Sequence, residues 1–423
     1  MKDVCEERIY LCIDLKSFFA SVECVARGMD PFRTNLVVAD PDRKSATICL
    51  AVTPAMKALG VKNRCRVFEI PRHISYIMAK PRMRLYMQKS AQIYSVYLRY
   101  ISPDDIHVYS IDECFMDLTD YLKLYSKTPR ELAGMLMQAV LEETGIPSSA
   151  GIGTNLFLAK VALDITAKHA GDRMGFLDVE TFRRTLWDHR PLTDFWNIGP
   201  GIAQRLSKYG IFDLRGVVNA DPATLYRELG VNAELLIDHA HGIEPCTIAD
   251  IHSYRPRTTS MTTGQVLFSD YKTEDARLVL REMVEGMALE LVRREQVTDS
   301  ISLAVGYSKN AAASTGGSLR LSGYTNSARK LTRAFDDYFE QTVRRQYLIR
   351  RLNIGVHHLV GAEHTTVDLF TDHAAEEREQ ALLRTVVQIR DRYGCNSILK
   401  AMNLQAAATA RERNRLIGGH NGE

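Results

Sequence analysis

The stretch Ser110-Ile111-Asp112-Glu113-Cys114-Phe115-Met116-Asp117 decides how this chain is read. Two adjacent carboxylates separate two apolar runs, His107–Ile111 and Cys114–Leu118, both strand-like in composition. A two-residue join between such runs predicts a hairpin with Asp112 and Glu113 at its tip. Neighbouring side chains on a regular strand point to opposite faces, whereas at a tip both can turn toward one ligand. Acids left buried without a partner are costly, and a divalent cation is the expected partner.

A third acid lies upstream. Asp14 ends the apolar run RIYLCID (8–14) and precedes a helical stretch, Ser17–Ala26. Alone, an acid there reads as a helix cap. With the acidic hairpin further along the chain, it reads as a third ligand. Three carboxylates on neighbouring strands suit two cations about 3.5–4 Å apart, the arrangement used for in-line phosphoryl displacement. Magnesium fits such oxygen donors because it retains waters and takes substrate phosphate oxygens. Lys160 lies on a predicted helix, Leu156–Lys168, after Gly151-Ile152-Gly153-Thr154-Asn155. A helix N-terminus after a glycine-containing turn favours anions. Lys160 is more than one turn in, so only its long side chain would reach. Lys57, on a short predicted helix, Pro54–Leu59, has the same status. On their own, both lysines read as solvated surface residues.

The chain has 423 residues, enough for two to four domains. A net charge of +3 does not by itself require a nucleic-acid partner. No apolar run reaches eighteen residues, so no membrane association is expected, and the N-terminus is too polar for a signal peptide. The eight cysteines form no CxxC pair, which points to a reduced, cytoplasmic protein.

Strands are predicted at 36–39 and 47–53, and helices at 84–100 and 129–144. Short helices broken by Gly and Pro fill 190–250, and 251–257 reads as a linker. A strand-helix-strand-strand-helix-strand block spans 258–360. The tail, 361–423, carries one amphipathic helix near Ala375–Tyr393 and a polar end expected to be flexible.

These motifs resemble those of the Y-family DNA polymerases. Ile13-Asp14-Leu15-Lys16-Ser17-Phe18-Phe19-Ala20-Ser21-Val22-Glu23 and Tyr109-Ser110-Ile111-Asp112-Glu113-Cys114 resemble the two metal-binding motifs. Gly151–Asn155 with Ala159-Lys160 resembles the third motif, and Ala55–Lys62 the fingers motif. The resemblance implies an α+β multidomain right-hand polymerase. Its palm would be 1–17 and 84–188, its fingers 18–83, its helical thumb 189–250, and its βαββαβ little finger 257–360. It implies low-fidelity, template-directed synthesis past damaged DNA, without proofreading. Asp14, Asp112, Glu113 and the Leu15 carbonyl would hold two Mg2+ ions. Phe19 would be the steric gate against a 2′-hydroxyl. Phe18, Ser17, Lys57 and Lys160 would bind the triphosphate. Pro54 and Lys57 depart from the usual tyrosine and arginine, and lysine lacks the bidentate fork; Thr53 is expected to supply a hydroxyl instead.

Asn197-Ile198-Gly199-Pro200-Gly201-Ile202 reads as a helix-hairpin-helix, with the Gly199, Gly201 and Ile202 amides set to meet a DNA phosphate. Thr366-Val367-Asp368-Leu369-Phe370 resembles a sliding-clamp docking motif, with Val367, Leu369 and Phe370 as anchors. The tail resembles the UmuC branch of Gram-positive bacteria. Implied partners are primer-template DNA, deoxynucleoside triphosphates, a clamp and accessory damage-response subunits; a monomer working at the nucleoid is expected. Two other readings stay open. One is a DNA-binding accessory protein with an inactive palm. The other is a palm-fold cyclase, which gives no reason for the helix-hairpin-helix.

Overall fold

The computed structural model describes residues 8–43, 47–255, 259–367 and 372–422. The chain divides into two compact units: one runs to Tyr254 and includes 420–423, the other is Arg255–Gly419. In the first unit the strands are β1 (Tyr10–Leu15), β2 (Leu36–Val38), β3 (Ala51–Val52), β4 (Ile77–Ala79), β5 (Ile106–Val108), β6 (Glu113–Asp117), β7 (Ser148–Gly153) and β8 (Met174–Leu177). Five of them form one sheet in the order β5-β6-β1-β7-β8, and β3-β2-β4 form a smaller one. β1 lies between β6 and β7 and pairs antiparallel with both. Flanked on both sides and buried along its length, it is apolar without alternation until Asp14.

The helices follow from their caps. Pro129–Thr144 opens with a capping box between Thr128 and Glu131 and stops at Gly145, whose φ of 68° suits glycine. The predicted helix 156–168 is instead three pieces: an α-helix Leu156–Val161, a π turn Ala162–Thr166 and a 3-10 turn Ala167–His169. Its backbone lies directly on the sheet. A Cβ on Gly151 would come within 2.1 Å of the Ala159 carbonyl, and one on Gly153 within 2.2 Å of the Ala159 nitrogen. These glycines are therefore strand residues that admit a helix, not a phosphate-binding turn.

Three further expectations change. The acidic hairpin is joined by four residues, Tyr109–Asp112, not two. The Tyr109 and Ser110 amides both donate to the Glu113 carbonyl, at 3.0 and 3.1 Å, so Glu113 becomes the first residue of β6. The expected strand 47–53 shrinks to Ala51–Val52, the two residues in ladder register with β2. The first three residues of the expected linker, 251–253, belong to the helix Ile248–Ser253, capped by Thr247 and Asp250.

Helices Pro200–Ser207, Leu214–Asn219, Pro222–Leu229 and Asn232–His241 share a core that includes Ile198, Leu206, Ile211, Leu225 and Leu236. In the second unit, β9 (Ser260–Tyr271), β10 (Gln296–Tyr307), β11 (Thr315–Thr325) and β12 (Ile349–His357) form an antiparallel sheet ordered β11-β10-β12-β9. Helices Thr273–Arg293 and Ala328–Thr342 pack their apolar stripes on it, giving the βαββαβ order.

The polar tail is folded rather than flexible. Helix His373–Tyr393 sends Leu383 and Val387 into the same core. Beyond it, Asn403 Nδ2 and the Thr409 and Ala410 amides donate to the buried Glu282 carboxylate at 2.9, 2.8 and 3.1 Å. Composition hides this because beyond the helix the tail contributes mainly polar partners to a buried charge.

Candidate active site

The sheet register places the acids. On β1, Asp14 lies directly opposite Glu113 of β6 and Ser149 of β7. Asp112 hangs from the end of β1, its carbonyl accepting from the Leu15 amide at 2.9 Å. Ser90 holds the same turn from below, donating to the Ile111 carbonyl at 2.6 Å, and the Ser110 hydroxyl donates to the Asp112 carboxylate at 2.8 Å. Trp196 donates its indole N–H to the Tyr109 hydroxyl at 3.1 Å and packs beside Phe115.

Electrostatics mark this sheet end. Asp14 is pushed up to about 7 by burial and by the charges of Asp112 and Glu113. Burial raises Glu113 also, opposed by Lys160. Lys160 is 6% exposed and ion-paired to Glu113 and, at 3.1 Å, to Asp164. Burial lowers its pKa, but nearby Cys12, Asp164 and Glu113 more than restore it. Among the described residues, no three His, Cys, Asp or Glu converge tightly enough to cage an ion as they stand. The crowding of acids that holds Asp14 near neutrality is nonetheless what a divalent cation would relieve, and the donors are all oxygen. Magnesium fits the residues present, provided Asp112 turns from Ser110 and Glu113 shares its charge with Lys160.

The structure sorts the other expected site residues. Phe19 is partly exposed, and its ring stacks on Tyr86 with centroids 4.6 Å apart. Phe18 is 2% exposed and packs in the core beside the Phe19 ring, at 5.7 Å between centroids. Thr53 is fully buried; its hydroxyl donates to the Thr34 carbonyl at 2.8 Å and accepts from the Leu36 amide, so it is not free for a phosphate. Ser17 adopts the left-handed conformation, φ 49°, ahead of helix Phe18–Val25, and its buried hydroxyl has no partner among the described residues. The helix before Lys160 is already capped by Asn155, whose side chain accepts from the Leu158 amide at 2.8 Å.

Lys57 and Lys16 are depressed first by burial and then, in both cases, by other cations, Lys168 among them. Arg173 adds to the effect on Lys16. Arg173 precedes β8, and its carbonyl accepts from the Ala150 amide, one strand beyond Asp14's neighbour Ser149. Sequence reasoning missed Lys16, Lys168 and Arg173. The signal for Lys16 lay within the first motif, two residues from Asp14.

Gly199 begins helix Pro200–Ser207, and a Cβ on Gly199 or Gly201 would meet nothing within 4 Å. Folding therefore gives no steric reason for glycine at either position. In the second unit, Thr366 pairs with Tyr324 through both amides and its hydroxyl, which ties down the start of the clamp-like motif. Val367 is 65% exposed, while Asp368, Leu369 and Phe370 lie outside the described residues.

Comparison with known proteins agrees with this geometry. The impB/mucB/samB family matches residues 13–164, and that family's C-terminal domain matches 258–369. A protein of Halalkalibacterium halodurans named DNA polymerase IV 2 is 30% identical over 418 residues, covering 98% of this chain and 99% of its own. UvrX of Bacillus subtilis, provisionally described by its name as a UV-damage repair protein, is 29% identical over 97% of both chains. Among solved structures, a Y-family polymerase chimera, Dbh-Dpo4(243-245)-Dbh, superposes with a TM-score of 0.64 at 18% identity, over 83% of this chain and 99% of its own. The chain belongs to the UmuC/DinB-like Y-family DNA polymerases. Its fold is that of the family, with palm, fingers, thumb and little finger, and it is a DNA-directed DNA polymerase.

Proposed function

We propose that this enzyme extends a DNA primer by two-metal phosphoryl transfer and is specialised for synthesis past damaged template. The observation that carries the reading is the register of β1 against β6, which sets Asp14 opposite Glu113 and hangs Asp112 on Leu15. Asp14, Asp112, Glu113 and the Leu15 carbonyl would hold the cations, which when bound supply charge neutralisation and in-line alignment. Lys57, with Lys16, Lys168 and Arg173, forms the cationic seat of the triphosphate. Ser17, whose buried hydroxyl has no partner among the described residues, would add a donor at its edge. Lys160 acts from beneath, balancing the acids. Phe19 would lie under the sugar and exclude a 2′-hydroxyl. The amides at Gly199, Gly201 and Ile202 would grip a DNA phosphate without reading sequence.

Primer extension by the purified protein in Mg2+ tests the reading, with Asp112→Ala as the control. Extension by the variant at the wild-type rate would remove the metal assignment. Absence of extension by the wild-type chain would favour an inactive accessory protein. Incorporation opposite a panel of defined lesions tests the specialisation; a block at every lesion would end that part of the proposal. For clamp docking through Val367, Leu369 and Phe370, the double variant Leu369→Ala, Phe370→Ala should lose binding to immobilised clamp, and retained binding would refute it.

A further inference from the structure

Phe19 does not stand alone. Phe19, Glu23 and Arg27 recur every four residues from helix Phe18–Val25 into the turn after it, so they follow one another along one face. Arg82 and Tyr86 have the same spacing at the start of helix Met83–Tyr97. The two series interlock. The Tyr86 ring stacks on Phe19 at 4.6 Å with planes 20° apart, and its hydroxyl donates to Glu23 Oε1 at 2.7 Å. Arg82 grips the same carboxylate with two nitrogens, at 3.0 and 2.7 Å, and Arg27 ion-pairs with it from the other side. Tyr86 and Glu23 are both fully buried. Glu23 is thus a buried charge with all its donors supplied, and Tyr86 links it to the gate ring.

We propose that Tyr86 is the positioning residue of the sugar gate. Stacked on Phe19 and anchored to Glu23, it fixes the height of the gate ring and hence how strictly a 2′-hydroxyl is refused. The inference rests on the reading of Phe19 as the gate. A ring that only filled the core would need no such anchor, and a gate ring free to tilt by a fraction of an ångström would admit an extra oxygen. Errors of about 1 Å in positioning are enough to change rates by roughly a hundred-fold.

The test measures kcat/KM for deoxynucleoside triphosphates and for their 2′-fluoro and 2′-hydroxyl counterparts on one primer-template. Tyr86→Leu removes the stacking plane and should raise the ribo-to-deoxy ratio roughly ten-fold, with the smaller 2′-fluoro group gaining less. Tyr86→Phe keeps the plane and should restore most of the discrimination. General destabilisation would lower all three substrates together and leave the ratio unmoved. If Tyr86→Leu does not fold, Arg82→Lys serves: it keeps the charge, loses the fork on Glu23, and should shift the ratio in the same direction by less. Phe19→Ala on the same assay separates the two claims. A raised ratio in Phe19→Ala with no change in the Tyr86 and Arg82 variants overturns the positioning role and leaves the gate intact. An unchanged ratio in Phe19→Ala overturns the gate, and the inference with it.

Discussion

Asp14 and Glu23 are nine residues apart on one strand-turn-helix, and the fold treats them oppositely. Asp14 is buried beside two other acids and is pushed up to about 7. Glu23 is buried deeper by exposure, yet its carboxyl is held below the usual range: burial works against it, and the hydrogen bonds of Arg82, Arg27 and Tyr86 outweigh burial. The first carboxylate lacks a full complement of positive charge within the chain, whereas the second has more than enough. An acid whose charge the protein balances is scaffold; one left crowded with its own kind is waiting for something that the protein does not itself contain.

The comparison can be broken at several points. The largest effect is expected at the crowded acids: Asp14→Ala, Asp112→Ala or Glu113→Ala should each cut extension by roughly a thousand-fold or more, with DNA affinity, read by fluorescence anisotropy, little changed. At the balanced acid the loss should be chiefly of stability, with the sugar ratio moving as in the Arg82 variant. Glu23→Ala leaves the buried Tyr86 hydroxyl without its acceptor and removes the partner of the partly exposed Arg82 and Arg27, and should cost about 1–3 kcal/mol in denaturant unfolding. Lys57→Ala should raise KM for the incoming nucleotide about ten-fold, the scale of one charge-assisted contact, with kcat less affected.

The subtlest test is of sign. In ion-free protein, Asp14 weakens the fold progressively as pH rises from about 4 to about 7, and fully above that. Asp14→Asn should therefore raise the melting temperature at pH 8 and leave it unchanged at pH 4. Glu23 contributes stability that is complete above its ordinary range and is lost as pH falls through its depressed value. Glu23→Gln should accordingly cost most at neutral pH and least in acid. Thermal scans of both variants in chelator, across that range, would show parallel rather than opposite trends if the two acids were alike.

Much of this was legible in the chain. The acids, the capping signals around Pro129–Thr144 and the βαββαβ block are local patterns, and local patterns survive folding. What was not legible depended on partners far away in sequence. Thr53 looked available until Thr34 and Leu36 claimed its hydroxyl. Gly151 and Gly153 read as a short strand and turn before a helix, and nothing local shows that this helix's backbone fills the space of their missing side chains. Tyr86 carries no local signal at all, because nothing near it in sequence announces that Glu23, sixty-three positions earlier, needs its hydroxyl.

The buried Glu282 carries a consequence for the chain's far end. Its carboxylate lies on the long helix Thr273–Arg293, but the Asn403, Thr409 and Ala410 donors that satisfy it come more than a hundred residues later. The unit that begins at Arg255 is thus not chemically complete until those residues have been synthesised. A shortened product ending after Tyr393 would keep every strand of its sheet and still leave an acid stranded in the interior, so the segment behaves as the closing stitch of the domain rather than as an appendage.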